Sequence, residues 1–183
     1  MNDAHPAPLS GLLAMGPLPY DQFLILAVPL SEAVCRLHSA GSAHGHLDLD
    51  SVMYDGAGGV TLAPSVPGSA TYNDDLTALG GIFYHTLTGK PVAGSPDPSL
   101  LKRLYPVEAK LTVEKLLGLH PSGQFASATE LHASLVLMKD VYDQAARDQP
   151  AVRRPGSARV YLSLSLIALI IILVWIAVAL IRH

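Results

Sequence analysis

The sequence predicts a mainly helical domain with one small β-hairpin, followed by a single transmembrane helix. Three features carry that expectation: apolar residues recurring at helical spacing in several stretches, two short apolar runs around a glycine-rich turn, and an uncharged apolar run over residues 160–181.

Residues 1–20 are rich in Pro, Ala, Gly and Leu with little periodicity, and they read as an N-terminal arm or irregular edge rather than a helix. The folded domain is expected over residues 21–143. From Phe23 onward, Leu26, Leu30, Val34 and Leu37 share one helical face, Pro29 starts or kinks the helix, and Gly41 is placed to end it. Runs 51–55 and 60–63 flank Gly56-Ala57-Gly58-Gly59, a composition that supplies the positive φ angles of a hairpin turn. Asp75 then precedes a segment in which Leu76, Leu79, Phe83 and Leu87 share a face, with Gly89 and Pro91 just past its end. Further helices are expected over 98–105 and 107–119. Ser127-Ala128-Thr129-Glu130 reads as a capping box, in which the Ser hydroxyl accepts from the Glu amide while the carboxylate reaches back. The helix it opens carries Leu131, Leu135, Met138 and Tyr142 toward the core. Residues 144–159 lack an apolar stripe, contain Pro150, Arg153, Arg154, Pro155 and Gly156, and read as a linker.

Residues 160–181, with Val160, Leu169, Trp175 and Ile181 marking the anchor, hold no charged side chain and would reach roughly 33 Å as a helix. The competing reading is a core helix of a soluble domain, but few such helices are apolar on every face for this length. Arg147, Arg153, Arg154 and Arg159 precede the run and only Arg182 and His183 follow it, so the domain is expected on the cytoplasmic side of a membrane, tail-anchored. The single cysteine, Cys35, excludes an intramolecular disulfide and agrees with a reducing compartment. A formal charge of −3 without a dense Lys/Arg stripe argues against a nucleic-acid partner, because phosphate neutralisation needs clustered cations.

The words Leu37-His38-Ser39-Ala40-Gly41, His44-Gly45-His46-Leu47-Asp48-Leu49-Asp50-Ser51-Val52-Met53 and Val60-Thr61-Leu62 come in that order. Asp75-Leu76-Thr77-Ala78-Leu79-Gly80 and Leu87-Thr88-Gly89-Lys90-Pro91 follow. Over about residues 20–140 this order resembles the C-terminal lobe of eukaryotic-type protein kinases, from the helix before the catalytic loop to the buried central helix and the turn beyond it. Pro121 and residues 128–131 look like the entry to the last kinase helix. The resemblance implies a kinase C-lobe-like fold, a structural role for His44, and for Asp75 the task of holding the catalytic-loop amides. Helix capping alone accounts equally well for an Asp at position 75.

The same resemblance implies that the catalytic groups are gone. His46 stands where the family has its catalytic-base Asp, Asp48 where it has the phosphate-contacting Lys, and Ser51 where it has the metal-binding Asn. Pro64-Ser65-Val66 occupies the DFG position without a carboxylate. No glycine-rich phosphate loop precedes the first helix and no lysine occurs before Lys90, so the N-terminal lobe is expected to be missing. Gln124 stands where the family's Arg would pair with a Glu that is also absent.

The function expected from these residues is that of a catalytically inactive pseudokinase, a docking or scaffold subunit of a membrane-associated complex. No catalytic residue, cofactor or metal is expected. Protein partners and the bilayer are expected, with a homo-oligomer as a further option. The architecture is similar, by analogy, to the membrane protein of bacterial type VII secretion that joins a pseudokinase domain to one span, and the Ala/Gly/Pro/Leu-rich composition fits a proteobacterial secretion or envelope complex equally well; a bacterial inner membrane is expected. Leu9, Leu12, Leu13 and Met15 are candidates to cover the surface an N-terminal lobe would occupy. Two other readings use the same residues. One is a residual nucleotide-binding signalling module. The other takes His44-x-His46-x-Asp48 as part of the HxHxDH motif of metallo-β-lactamase-type hydrolases, although Leu49 replaces its final His.

Overall fold

Apolar side chains at helical spacing build the core. In the computed structural model, which describes residues 6–55, 58–65, 68–92, 96–97, 99–102 and 106–148, helix α2 spans Tyr20–Ser39. It buries Phe23, Leu26, Leu30 and Val34 along the face their spacing predicts. The helix begins three residues earlier than the periodicity suggests, behind Pro19, and Pro29 is accommodated inside it. Helix α3, Tyr72–Thr88, lies against it, and Phe23 meets Phe83 edge to face at 5.2 Å.

The start of α3 differs from expectation. Thr71 is the N-cap: its Oγ1 accepts from the Asp74 amide at 3.2 Å while an Asp74 oxygen accepts from the Thr71 amide at 2.7 Å. This reciprocal box moves the helix start ahead of Asp75 and leaves Asp75 buried in the first turn. At the other end Gly89, at φ 70°, supplies the left-handed residue that closes the helix, as its position in the sequence suggests.

The hairpin is present and gains a strand. Strand β2, Val52–Tyr54, pairs antiparallel with β3, Val60–Leu62, and β1, Ala7–Pro8, adds to the other side of β2. The arm is therefore not separate. It supplies β1 and the short helix α1, Leu9–Leu13, and it belongs to the same unit, residues Met1–Gln144, as the rest of the domain. Leu9, Leu12 and Leu13 fall on one face at i, i+3 and i+4; Leu9 and Leu13 are buried and Leu12 packs against the core, whereas Met15 is 82% exposed. That spacing is too short for periodicity to register, which is why the segment reads as irregular in sequence.

Helix α4 spans Ser99–Lys102, residues 98 and 103–105 of the expected helix lying outside the described residues; α5 spans Val107–Leu116, shorter than expected, and α6 spans Ala128–Asp148. At the α6 entry Ser127 Oγ accepts from the Glu130 amide at 3.2 Å, but the Glu130 carboxylate reaches the Ala126 amide at 2.8 Å rather than that of Ser127. The helix also runs on past Gln144 to Asp148, into the stretch read as linker.

The expected transmembrane helix is not supported. Among the described residues no helix is long and apolar enough to cross a membrane. The longest of them, α6 with 21 residues, is amphipathic: it buries Leu131 and Leu135 and sets Lys139, Asp140, Asp143 and Arg147 on its other sides. Residues 160–181, with Val160, Leu169, Trp175 and Ile181, lie outside the described residues, as does the rest of the linker from residue 149. The fold class is accordingly a mainly helical domain with a small three-stranded antiparallel sheet.

Helices α3 and α5 are held close by Gly80. A Cβ there would stand 2.8 Å from Leu116 Cβ and about as close to the Leu117 side chain, whereas the neighbouring Gly81 faces open space. Gly80→Ala is expected to cost about 1–3 kcal/mol through overpacking. Gly81→Ala is expected to add up to about 1 kcal/mol from helix propensity. Urea melts of the two variants check this pair, and equal changes would refute the close contact.

Candidate functional site

Four segments meet around Asp75 and His44. The end of α2 brings His38, the loop after it brings His44 and Gly45, the end of β3 brings the Ala63 carbonyl, and α3 brings Asp75. Asp75 is 1% exposed. Its Oδ2 accepts from the His44 amide at 2.7 Å and its Oδ1 from the Gly45 amide at 3.0 Å. Oδ2 also lies 2.8 Å from His38 Nε2, and the His38 ring stacks on Tyr72 with centroids 4.4 Å apart. Gly45 adopts φ 80°, the left-handed conformation that lets two successive amides turn toward one anion.

This arrangement decides between the two readings of Asp75. Thr71 caps α3, so Asp75 is the residue that ties down the loop. His44, 2% exposed, fastens the opposite side. Its Nε2 is 2.9 Å from the Ala63 carbonyl, and since a carbonyl only accepts, Nε2 carries the proton. Sequence reasoning did not single out His38. The signal that could have found it is a polar residue at the buried end of an apolar helix face, one turn before a glycine.

The loop's remaining polar groups are spent on one another. Asp48 Oδ1 accepts from the Asp50 amide at 2.9 Å and the Ser51 amide at 2.7 Å. Ser51 Oγ accepts from the Asp48 amide at 2.9 Å and donates to the Asp48 carbonyl at 3.0 Å. His46 lies outside, its Nε2 3.1 Å from Asp48 Oδ2. Ser10 hydrogen-bonds to Asp50, and its amide donates to the Leu49 carbonyl at 3.2 Å, so the arm braces the loop from the sheet side. Partial burial, the largest single influence on Asp48, pushes its carboxyl up, but the Ser51 and Asp50 amides, His46 and the Ser51 hydroxyl together outweigh it and hold the carboxyl below the usual value.

Pro64 and Ser65 follow β3 on the surface. Beside them an open cavity of about 600 Å³ is lined by Gly41, Ser42, Ala43, Ser65, Thr71 and Tyr72 among others, and no charged side chain is among its described lining. Gln124 is elsewhere, donating through Nε2 to the Leu116 carbonyl at 3.4 Å.

The described geometry does not bring the three residues of the HxHxD motif together. His44 points its Nε2 inward to Ala63 while His46 is exposed, and among the described residues no three His, Cys, Asp or Glu side chains are grouped to hold a metal ion. His132 Nδ1 on α6 lies 3.0 Å from Ser31 Oγ on α2, and His120 Nδ1 lies 2.7 Å from Ser122 Oγ two residues on, so each ring is engaged by a hydroxyl.

Asp75→Asn keeps the shape but leaves one oxygen where three donors converge, so a loss of roughly 2–4 kcal/mol in a denaturant melt is expected. Asp48 supplies a pH dependence. Its folded pKa lies below the unfolded 3.8, so its contribution is complete above that value and is lost as pH falls through the lower folded one. Asp48→Asn should therefore flatten the acid limb of the melting-temperature profile below about pH 4, and an unchanged limb would refute the turn as an acid-sensitive element. No protein-family model matches this chain, and no curated protein matches it.

Proposed function

We propose that this chain is a kinase C-lobe-like pseudokinase, a module that docks other proteins and does not transfer phosphate. The observation that carries the reading is the state of the loop around Asp48. Phosphoryl transfer needs a base, a cation on the phosphates and carboxylate or amide ligands for Mg²⁺, all facing one cleft. Here the position of the phosphate-contacting Lys holds a carboxylate folded into its own turn, and Ser51 is buried and closed onto the same turn. An anion at Asp48 repels a triphosphate, and the neutral cavity beside the loop offers nothing to offset it.

What the loop retains is its scaffold. The clamp of Asp75 on the His44 and Gly45 amides supports the kinase-like reading, because it keeps the loop's shape without its reactive groups. A fold maintained in this way suits recognition by surface. Leu137 and Val141, one turn apart on α6, are both more than half exposed, the kind of uncovered apolar pair that protein contacts use.

Thermal-shift titration with ATP, with and without Mg²⁺, tests the reading. A ligand present at a hundred times its Kd would raise the melting temperature by on the order of 5–10 °C. No rise is expected up to millimolar nucleotide. A saturable rise would favour a nucleotide-binding signalling module, and transfer of phosphate from ATP to any acceptor would overturn the proposal outright.

A further inference from the structure

Strand β3 is an open sheet edge, and its bonding phase shows which groups it offers. In an antiparallel pair, residues that exchange both hydrogen bonds alternate with residues that exchange none. The Ala63 amide donates to the Ser51 carbonyl at 2.8 Å and the Asp55 amide to the Gly59 carbonyl at 3.1 Å, so Thr61 is the β3 residue that bonds to Met53. The N–H and C=O groups of Val60 and Leu62 therefore point away from β2. Among the described residues nothing bonds to them. The sheet's opposite edge is β1, two residues long and containing Pro8, which has no N–H to offer.

A cavity of about 420 Å³ adjoins the open edge, between β3 and the C-terminal half of α2. Ala33, Leu37, Val60, Leu62 and Ala63 make most of its wall apolar, and Arg36 is the one charged side chain of the described lining. Among the described residues Arg36 is held only by an exposed 3.6 Å contact to Glu32 one turn back, an interaction of little strength. His44 lines the same cavity. Its Nδ1 is buried and has no partner among the described residues.

We propose that the β3 edge and this cavity receive an extended, acidic segment of a partner polypeptide, which adds as a fourth strand and sets a carboxylate against Arg36. The inference rests on the docking reading above and names the surface and the partner's chemistry. Main-chain bonds to Val60 and Leu62 fix the segment, side chains entering the cavity bury apolar area, and Arg36 selects the charge. A second copy of the chain is the poorer occupant, because residues 58–65 carry no acid to answer Arg36. Pro64 ends the ladder after Leu62, which confines the pairing to about three residues and makes the charge contact decisive for affinity.

Fluorescence anisotropy with the purified full chain tests this, using two labelled probes, Glu-Val-Glu-Val-Glu-Val and Lys-Val-Lys-Val-Lys-Val. The acidic probe is expected to bind roughly tenfold or more tightly than the basic one. Val60→Pro removes an outward N–H that the hairpin does not use and should weaken the acidic probe by roughly tenfold. Arg36→Ala, on an exposed position, should abolish the preference while leaving the melting temperature unchanged, and it decides the matter if Val60→Pro does not fold. Equal binding of both probes, binding unaffected by the two variants, no binding at all, or a dimer that Val60→Pro dissolves would each overturn the proposal. These outcomes leave the docking reading to the nucleotide titration, in which a saturable ATP response would remove that reading even if the acidic probe bound.

Discussion

The carboxylate of Asp75 is the constraint on which the rest of the domain is arranged. It is an anion taken almost wholly out of water, and such a group is tolerated only when donors surround it. The His44 and Gly45 amides and the His38 ring come from different segments, so satisfying the charge fixes the end of α2, the loop and the start of α3 together. His44 extends the same chain of contacts to the end of β3. Removing any one partner leaves the others in a low-dielectric site without compensation.

Around that anchor the loop has become self-sufficient. Asp48 and Ser51 exchange bonds within a single turn, and the arm reaches in through Ser10 to hold Asp50 and Leu49. A catalytic loop must leave its polar groups preorganised but free to meet a substrate. Here they meet each other, so the loop's hydrogen-bonding capacity is satisfied within its own turn.

The sheet has the opposite character. Among the described residues its β2 strand is paired on both sides, β1 closes one edge with a proline, and β3 leaves the main-chain groups of Val60 and Leu62 open beside a cavity whose described lining holds one cation, Arg36. Natural proteins usually blunt such an edge. An open one next to a selective charge is therefore a more specific feature than exposed apolar side chains scattered over the helices.

Sequence by itself determined the elements whose signals are local. Helical spacing marked α2 and α3, the glycine-rich turn marked the hairpin, and Gly89 marked a helix end. It did not reveal the strand and helix within the arm, because β1 and α1 are too short to show a period and exist only through what they pack against. It left Asp75 between two roles, since a buried clamp and a helix cap call for the same residue at the same place. It missed His38, whose partner lies 37 residues away, and it read a membrane span that no described helix supplies. Tertiary structure alone decided those points, because the stabilisation of a buried charge or an added strand comes from groups distant in the chain, and local pattern carries no record of which distant group will arrive.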